Sequence, residues 1–432
     1  MTPVKGAAAA AVVTTGLLTA VAAMAQLEER PLAGVLTNPA IGYYTTPTHD
    51  PVAELNRRLE GGSTHLTFDA GTGFLKTTLE ALHVPIESQM LVMSKTGIQG
   101  VHTAPDNPRA IYFNDAVTVG YIRGAPLLEL AVQDPQQGVV FYTVDQKPQT
   151  QPLFERRKDC LTCHQVLSTL HVPGMLARSV FMGRGGSTLG QFGTYDADDR
   201  TPFRRRWGGW YVTGTHGAIR HMGNAIVTNV DDRESGITDR TLNRTSLGDV
   251  FDAHDYLSAH SDIVALMVFE HQVRMMNLIT RIGWETRMAA QAHSADFVNG
   301  PLRQGVIELV DYLLFVDEEL LTAPLKGTSG FAEQFASQGP TDRQGRSLRQ
   351  LDLEHRLMRY PCSYMIYSAA FRALPAEARD AIYRRMWEVL AALDAHPKYL
   401  RVSKADRQAV IEILRDTLPD LPADFRPSEA LY

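Results

Sequence analysis

Residues 110–144 read AIYFNDAVTVGYIRGAPLLELAVQDPQQGVVFYTV and contain four short apolar runs rich in β-branched and aromatic side chains. The runs lie at 110–113, 117–122, 127–132 and 139–144. Gly, Pro, Asn or Asp residues separate them, which is typical of β-strands joined by tight turns. Together with a similar run at 90–93, they predict an antiparallel meander of about five strands.

The sequence on either side of this stretch has a helical pattern. Asp50 followed by Pro51 is a helix-start signal, so a helix is expected from Pro51 to just before Gly61. A second short helix is expected over 72–82. Beyond residue 248, apolar residues recur at helical spacing in four longer segments. These segments are 261–293, 302–321, 376–393 and 405–418.

These patterns predict an α+β fold with three regions. A β-rich N-terminal region covers residues 26–150, and a mainly α-helical C-terminal region covers 248–432. Between them, residues 151–247 are rich in Gly, Asp and Arg and lack a clear period. Long irregular loops in a compact protein are usually functional, so this middle segment is expected to hold the site.

The N-terminus has the pattern of an export signal. Lys5 is followed by an uncharged apolar run over 7–22 and by the small-x-small sequence Ala23-Met24-Ala25. We therefore expect a signal peptide over residues 1–25, with Gln26 as the mature N-terminus. A retained N-terminal anchor is the alternative. No later segment holds about 18 uncharged apolar residues, so no transmembrane span is expected after signal removal.

The composition is that of an ordinary globular protein. Hydrophobic residues make up 44% and charged residues 21% of the chain, and the formal net charge is −6. A modest negative charge argues against nucleic acid or an anionic membrane surface as the main partner. The sequence carries no signal for the oligomeric state.

The motif C-x-x-C-H occurs as Cys160-Leu161-Thr162-Cys163-His164, in a chain with three cysteines. Two thiols at this spacing lie on one side of a helical turn, where both can form thioethers to one porphyrin. A histidine beside the second cysteine can then ligate the iron. The motif predicts one covalently bound haem c, with Cys160 and Cys163 as attachment sites and His164 as the proximal iron ligand.

Other uses of the cysteines fit the sequence less well than haem attachment. Thiol–disulfide oxidoreductases also contain C-x-x-C, but their pair follows an early strand, whereas Cys160 follows a polar segment. A zinc site would need a second spaced pair of ligands. Cys362 is expected to be buried and inert, with a thiolate ligand to iron or an intermolecular disulfide as alternatives.

The export signal and the C-x-x-C-H motif together resemble those of c-type cytochromes. The resemblance is specific but covers only the motif residues, 160–164, and the N-terminal segment. It implies covalent haem, one iron, and electron transfer with redox partner proteins in the periplasm or another exported location. Class I cytochromes c have no comparable sheet, and di-haem peroxidases carry two such motifs.

The sixth ligand of the iron decides what such a haem does, because an empty position lets small molecules react. Met222 and His221 are the first candidates, since they lie several tens of residues after His164 in the loop-rich segment. The other candidates are His216, His171, Met175, Met182, His271 and Met275. The position can also be open.

Two basic clusters are candidates for binding the haem propionates. They are Arg156-Arg157-Lys158 and Arg204-Arg205-Arg206. The alternative for each cluster is a solvated basic face that helps to dock an acidic redox partner.

The sequence therefore predicts an exported monohaem c-type cytochrome that carries out one-electron transfer. A haem-dependent oxidoreductase of the peroxidase-like kind, with an open distal site, is the first alternative. A haem-based sensor is the second.

Overall fold

The computed structural model describes residues 34–294 and 300–425 and confirms the α+β prediction. The expected signal peptide, residues 1–25, and Gln26 lie outside the described residues. The main sheet is an antiparallel meander of six strands in sequence order, one more than expected. Its strands are β1 Met90–Val92, β2 Arg109–Phe113, β3 Val117–Tyr121, β4 Leu127–Asp134, β5 Gly138–Asp145 and β6 Glu155–Arg157.

The sheet is covered on both faces. Side chains of one parity, such as Tyr112 and Tyr142, pack against helices α1 Pro51–Glu60 and α2 Leu75–Ala81. Side chains of the other parity, such as Phe141, belong to the core formed with the C-terminal helices. Because both faces are buried, the strands read as nearly continuous apolar runs instead of alternating ones.

The helical part is built around one long helix, α4, which spans Ile263–Gln291. The Asp262 carboxylate caps its start by accepting the N–H of Val264 at 2.8 Å and that of Ala265 at 3.3 Å. The helix is buried on nearly all sides as far as Thr286, which explains its hydrophobic character all round.

The shorter helices pack around α4 or lie in the loops. They are α3 Leu161–His164, α5 Pro301–Leu313, α6 Phe331–Ala336, α7 Ala369–Arg372, α8 Ala376–Leu390 and α9 Lys404–Thr417. The sequence pattern predicts that helix α5 extends to residue 321, but the helix ends at Leu313. The cause is Phe315, which adopts a left-handed backbone conformation and stacks its ring on His271 at 4.3 Å between centroids.

The middle segment, residues 151–247, is mostly loops. Its regular elements are β6, α3 and a two-stranded ribbon formed by β7 Ala177–Val180 and β8 Thr194–Ala197, besides a few 3₁₀ turns. Within the two described ranges, no helix is long and apolar enough to cross a membrane.

Candidate haem-attachment site

The C-x-x-C-H motif lies directly after the edge of the main sheet. Strand β6 pairs with β5, and the chain then turns into the single-turn helix α3. The turn is closed by hydrogen bonds from the N–H groups of Cys163 and His164 to the carbonyl oxygen of Cys160, at 3.2 and 3.1 Å. Both thiols are free; Cys160 is half-buried against the core and Cys163 is exposed. The local fold thus presents two unpaired thiols on one helical turn.

The imidazole of His164 is held in one orientation. Its Nδ1 lies 2.9 Å from the carbonyl oxygen of Gly174, which requires the proton to be on Nδ1. Its ring packs on Phe141 of β5, with 4.7 Å between centroids. Burial holds the pKa of His164 below its usual range, so the ring is neutral at pH 7. Among the described residues Nε2 has no hydrogen-bond partner, and its lone pair is the one that a metal would use.

The loop that supplies the Gly174 carbonyl is itself tied to helix α4. The Asn277 side chain, which is buried, accepts the N–H of Met175 at 3.2 Å and donates to the Met175 carbonyl at 2.8 Å. Gly174 packs so closely that a Cβ at this position would overlap the Asn277 amide. The long helix therefore positions His164 through Asn277 and Gly174.

Replacing Gly174 by alanine is expected to lower the free energy of unfolding by about 1–3 kcal/mol, because the new methyl group overpacks against Asn277. Urea unfolding of the variant measures this effect. Gly190→Ala is the matched control, because a Cβ at that position meets nothing within 4 Å. Equal stability of the two variants would show that Gly174 is not packed tightly against Asn277.

The surroundings of Cys160 do not favour dithiol redox chemistry. Burial, with a contribution from the Asp159 carboxylate, raises the pKa of the Cys160 thiol to about 11. A thiol of this kind is protonated at neutral pH, whereas the attacking cysteine of an oxidoreductase has a lowered pKa. No group of three or more His, Cys, Asp or Glu side chains able to hold a metal ion occurs in residues 34–294 and 300–425.

These features fit a covalently attached haem. Cys160 and Cys163 supply two uncombined thiols on one turn, and Cys163 is open to solvent. His164 supplies a neutral imidazole whose second nitrogen is anchored by a backbone carbonyl, as is usual for a histidine that ligates a metal.

His221, a candidate distal ligand, lies in a buried pair with His216. Its Nδ1 accepts the N–H of Gly223 at 3.0 Å, so its proton is on Nε2, which lies 3.1 Å from Nε2 of His216. The same His216 nitrogen accepts the N–H of Asn243 at 2.9 Å. Both nitrogens of His221 are thus engaged, and its ring packs on Trp207.

The buried His216–His221 pair should make the stability of the protein fall at acid pH. Burial, and then the neighbouring His216, lower the pKa of His221 to about 3, so the folded chain keeps this ring neutral while the unfolded chain protonates it near pH 6.5. The stabilisation is present above pH 6.5 and is lost as the pH falls toward 3. From pH 7 to pH 4 this amounts to about 3 kcal/mol of unfolding free energy.

The measurement is the difference in unfolding free energy between the wild type and His221→Gln at several pH values. The difference isolates His221 from other titrating groups, such as the buried carboxyls of Glu270 and Glu318, whose pKa values burial raises to about 8. We expect the unfolding free energy of His221→Gln to rise relative to that of the wild type as the pH falls. A difference that does not change with pH would contradict a neutral, buried His221.

Met222, the other first candidate, packs in a small buried cluster with Phe181 and Val227. Its Sδ lies 3.7 Å from the Ser179 hydroxyl, which donates to it. No hydrogen bond, ion pair or ring contact among the described residues joins His221 or Met222 to the motif residues 160–164.

The remaining distal candidates are spread over the molecule. His171 and Met175 lie in the loop that reaches the Nδ1 side of His164. Met182 is buried among residues of the opposite sheet face, and Met275 is buried on α4.

His271 belongs to a buried Ser–His–Asp chain. Its Nδ1 lies 3.0 Å from Oδ2 of Asp199, and its Nε2 lies 2.7 Å from Oγ of Ser363. All three side chains are buried, and Ser363 Oγ also caps a short 3₁₀ turn by accepting the N–H of Met365. The arrangement gives partners to both nitrogens of His271 and to Oδ2 of Asp199, whereas Oδ1 of Asp199 is buried without a hydrogen-bond partner among the described residues.

The basic clusters are largely engaged with protein groups. Arg157 forms two hydrogen bonds with Asp159, and Arg206 is buried against Glu270. Arg205 is exposed and lies over the Tyr195 ring. Cys362 is fully buried, as expected, and burial raises its thiol pKa.

Comparison with protein-family models, with curated proteins and with solved structures finds no match to this chain.

Proposed function

We propose that this protein is an exported monohaem c-type cytochrome that transfers single electrons between periplasmic redox partners. The observation that carries the proposal is the geometry of residues 160–164. Two free thiols share one helical turn with an imidazole whose Nδ1 is fixed by the Gly174 carbonyl.

In this proposal each side chain has one task. Cys160 and Cys163 hold the porphyrin through thioether bonds, and His164 offers Nε2 to the iron. Gly174 keeps the proton on Nδ1 and strengthens the imidazole as a donor. Bound haem supplies a one-electron Fe(III)/Fe(II) couple, and the chain sets the orientation and polarity around it.

A haem-dependent oxidoreductase with an open distal position is the second candidate. It is favoured by the engagement of His221 and Met222, whose donor atoms contact Gly223, His216 and Ser179. A ligand that is already hydrogen-bonded inside the protein has to leave those partners before it can reach the iron.

The test is to produce the full chain in a bacterial host that attaches haem in its periplasm. Attached haem, N-terminal sequencing that starts at Gln26, and a six-coordinate low-spin spectrum would support the electron carrier. A high-spin ferrous form that binds CO readily would favour the oxidoreductase. A protein without attached haem would overturn both candidates.

A further inference from the structure

We propose that Arg109 is the residue that binds a haem propionate, through its guanidinium group beside the C-x-x-C-H motif. This inference rests on the proposed function and goes beyond it, because it assigns the anion-binding side chain to the sheet instead of the basic clusters at 156–158 and 204–206.

The sheet brings Arg109 next to the motif. Arg109 begins β2 and has the same parity as Ile111 and Phe113, whose side chains belong to the core on the C-terminal face of the sheet. Phe141 lies on that face and contacts the His164 ring. The Arg109 side chain crosses Gly120 of β3 and comes within 3.9 Å of Glu129 on β4, which pairs with Thr143 on β5. Thr143 accepts a hydrogen bond from Arg157, three residues before Cys160, at 3.5 Å.

Arg109 is a largely buried cation with no carboxylate within hydrogen-bond distance of its guanidinium group. Its side chain is 17% exposed, and its nearest carboxylate oxygen, Oε2 of Glu129, lies 3.9 Å from Nη1, beyond hydrogen-bond distance. The other oxygen of Glu129 accepts from the Gln99 amide at 2.8 Å. The Nε of Arg109 is buried and has no partner among the described residues.

An under-compensated buried guanidinium is costly unless an anion joins it. A planar carboxylate is the group that an arginine fork binds best, since it accepts two parallel hydrogen bonds. The site is also shaped around the guanidinium, because Gly97 packs against Nη1 and a Cβ there would crowd it.

The other cations near the motif already have close partners. Arg178 pairs with Asp196 at 3.0 Å and donates to Ser168 at 3.1 Å. Arg156 donates to the Tyr43 carbonyl at 2.6 Å, although its Nε, like that of Arg109, is buried without a partner. Lys158 is exposed and lies over the Tyr44 ring. Arg109 differs from these cations because it is largely buried and none of its nitrogens forms a hydrogen bond to another described residue.

The experiment compares haem-loaded wild type with Arg109→Gln and Arg109→Lys. Arg57→Gln, which changes an exposed side chain of helix α1, is the control. Resonance Raman spectroscopy of the propionate bending modes reports hydrogen bonding to the carboxylates. We expect Arg109→Gln to shift a propionate band, Arg109→Lys to shift it less, and Arg57→Gln to leave it unchanged.

The reduction potential gives a second readout. Loss of a positive charge near the haem favours Fe(III), so Arg109→Gln should lower the Fe(II)/Fe(III) ratio at a fixed potential by about tenfold, or ~59 mV for one electron. Arg109→Lys keeps the charge and should stay near the wild-type potential, which keeps the test informative if the glutamine variant folds poorly.

The outcomes separate the two proposals. Wild-type protein without attached haem overturns the proposed function. Haem-loaded protein whose propionate bands are the same in the wild type and both Arg109 variants overturns the assignment of Arg109 alone. A third outcome is that the propionate bands do not change and that added inorganic phosphate stabilises the wild type but not Arg109→Gln. This outcome would assign the site to a free anion and would also overturn the assignment of Arg109 to a propionate.

Discussion

The double variant Cys160→Ala/Cys163→Ala is expected to contain no covalently bound haem. Both thioether bonds need a sulfur atom, and the two thiols on helix α3 are the attachment groups in this account. Haem staining of the purified chain after denaturing electrophoresis measures the effect, and we expect the signal to fall to background. Each single variant keeps one thiol and should retain a weaker signal.

Cys362→Ala is the matched control, because Cys362 is the remaining free thiol among the described residues and is fully buried. Its replacement removes a small buried side chain and should leave haem staining at the wild-type level. Loss of staining in Cys362→Ala, or full staining in the double variant, would contradict the assignment of the attachment sites.

Arg206→Met is expected to lower the free energy of unfolding by about 3–5 kcal/mol, the largest effect on stability that we predict, because three buried hydrogen-bond acceptors lose their charged donor. Arg206 and Glu270 are 1% and 2% exposed, with Nη1 3.2 Å from Oε2. Arg206 also donates to the carbonyls of Thr201 and Asp199 at 2.6 and 2.7 Å. The variant leaves a buried carboxyl and two buried carbonyls without their partner, and urea unfolding measures the cost.

Two further variants control this prediction. Arg205→Met changes the neighbouring exposed arginine and should cost less than about 0.5 kcal/mol. Arg206→Met/Glu270→Leu removes both members of the ion pair and should recover part of the loss. If Arg206→Met matched Arg205→Met in stability, the buried pair would not be a structural element, and Arg206 would again be a candidate for the haem propionates.

The main elements of the fold could be predicted from the sequence because their apolar residues recur at the period of the structure. Each exception has a specific structural cause. Strand β6, Glu155–Arg157, is a three-residue edge strand whose charged side chains are exposed or half-buried, so it lacks the apolar run that marks the other five. Helix α5 ends early because the aromatic stacking of Phe315 on His271 is a tertiary contact.

The site could be predicted only in part. Residues 160–164 are visible because the motif is local, with every functional atom within five positions. The groups that position His164 are distant in sequence: Asn277 acts on Met175 from 102 residues away, and Phe141 comes from strand β5 of the sheet. No spacing rule links such residues, because only the packing of α4 and the sheet brings them together.

The ranking of distal ligands shows the same limit. Sequence spacing favours Met222 and His221, but spacing contains no information about hydrogen bonds. In the structure His221 is hydrogen-bonded to Gly223 and His216, and the Met222 sulfur accepts a hydrogen bond from Ser179. Either residue stays a candidate whose binding to iron would require these contacts to be exchanged.

The proposed covalent bond between porphyrin and polypeptide is tested most directly on the purified wild-type protein. The measurement is extraction with acidified acetone, followed by an intact mass and a pyridine haemochrome spectrum of the precipitated chain. We expect the colour to stay with the polypeptide, at one haem per chain, with the spectrum of a haem joined through two thioethers. A colourless precipitate with an unmodified mass would contradict the proposed covalent bond.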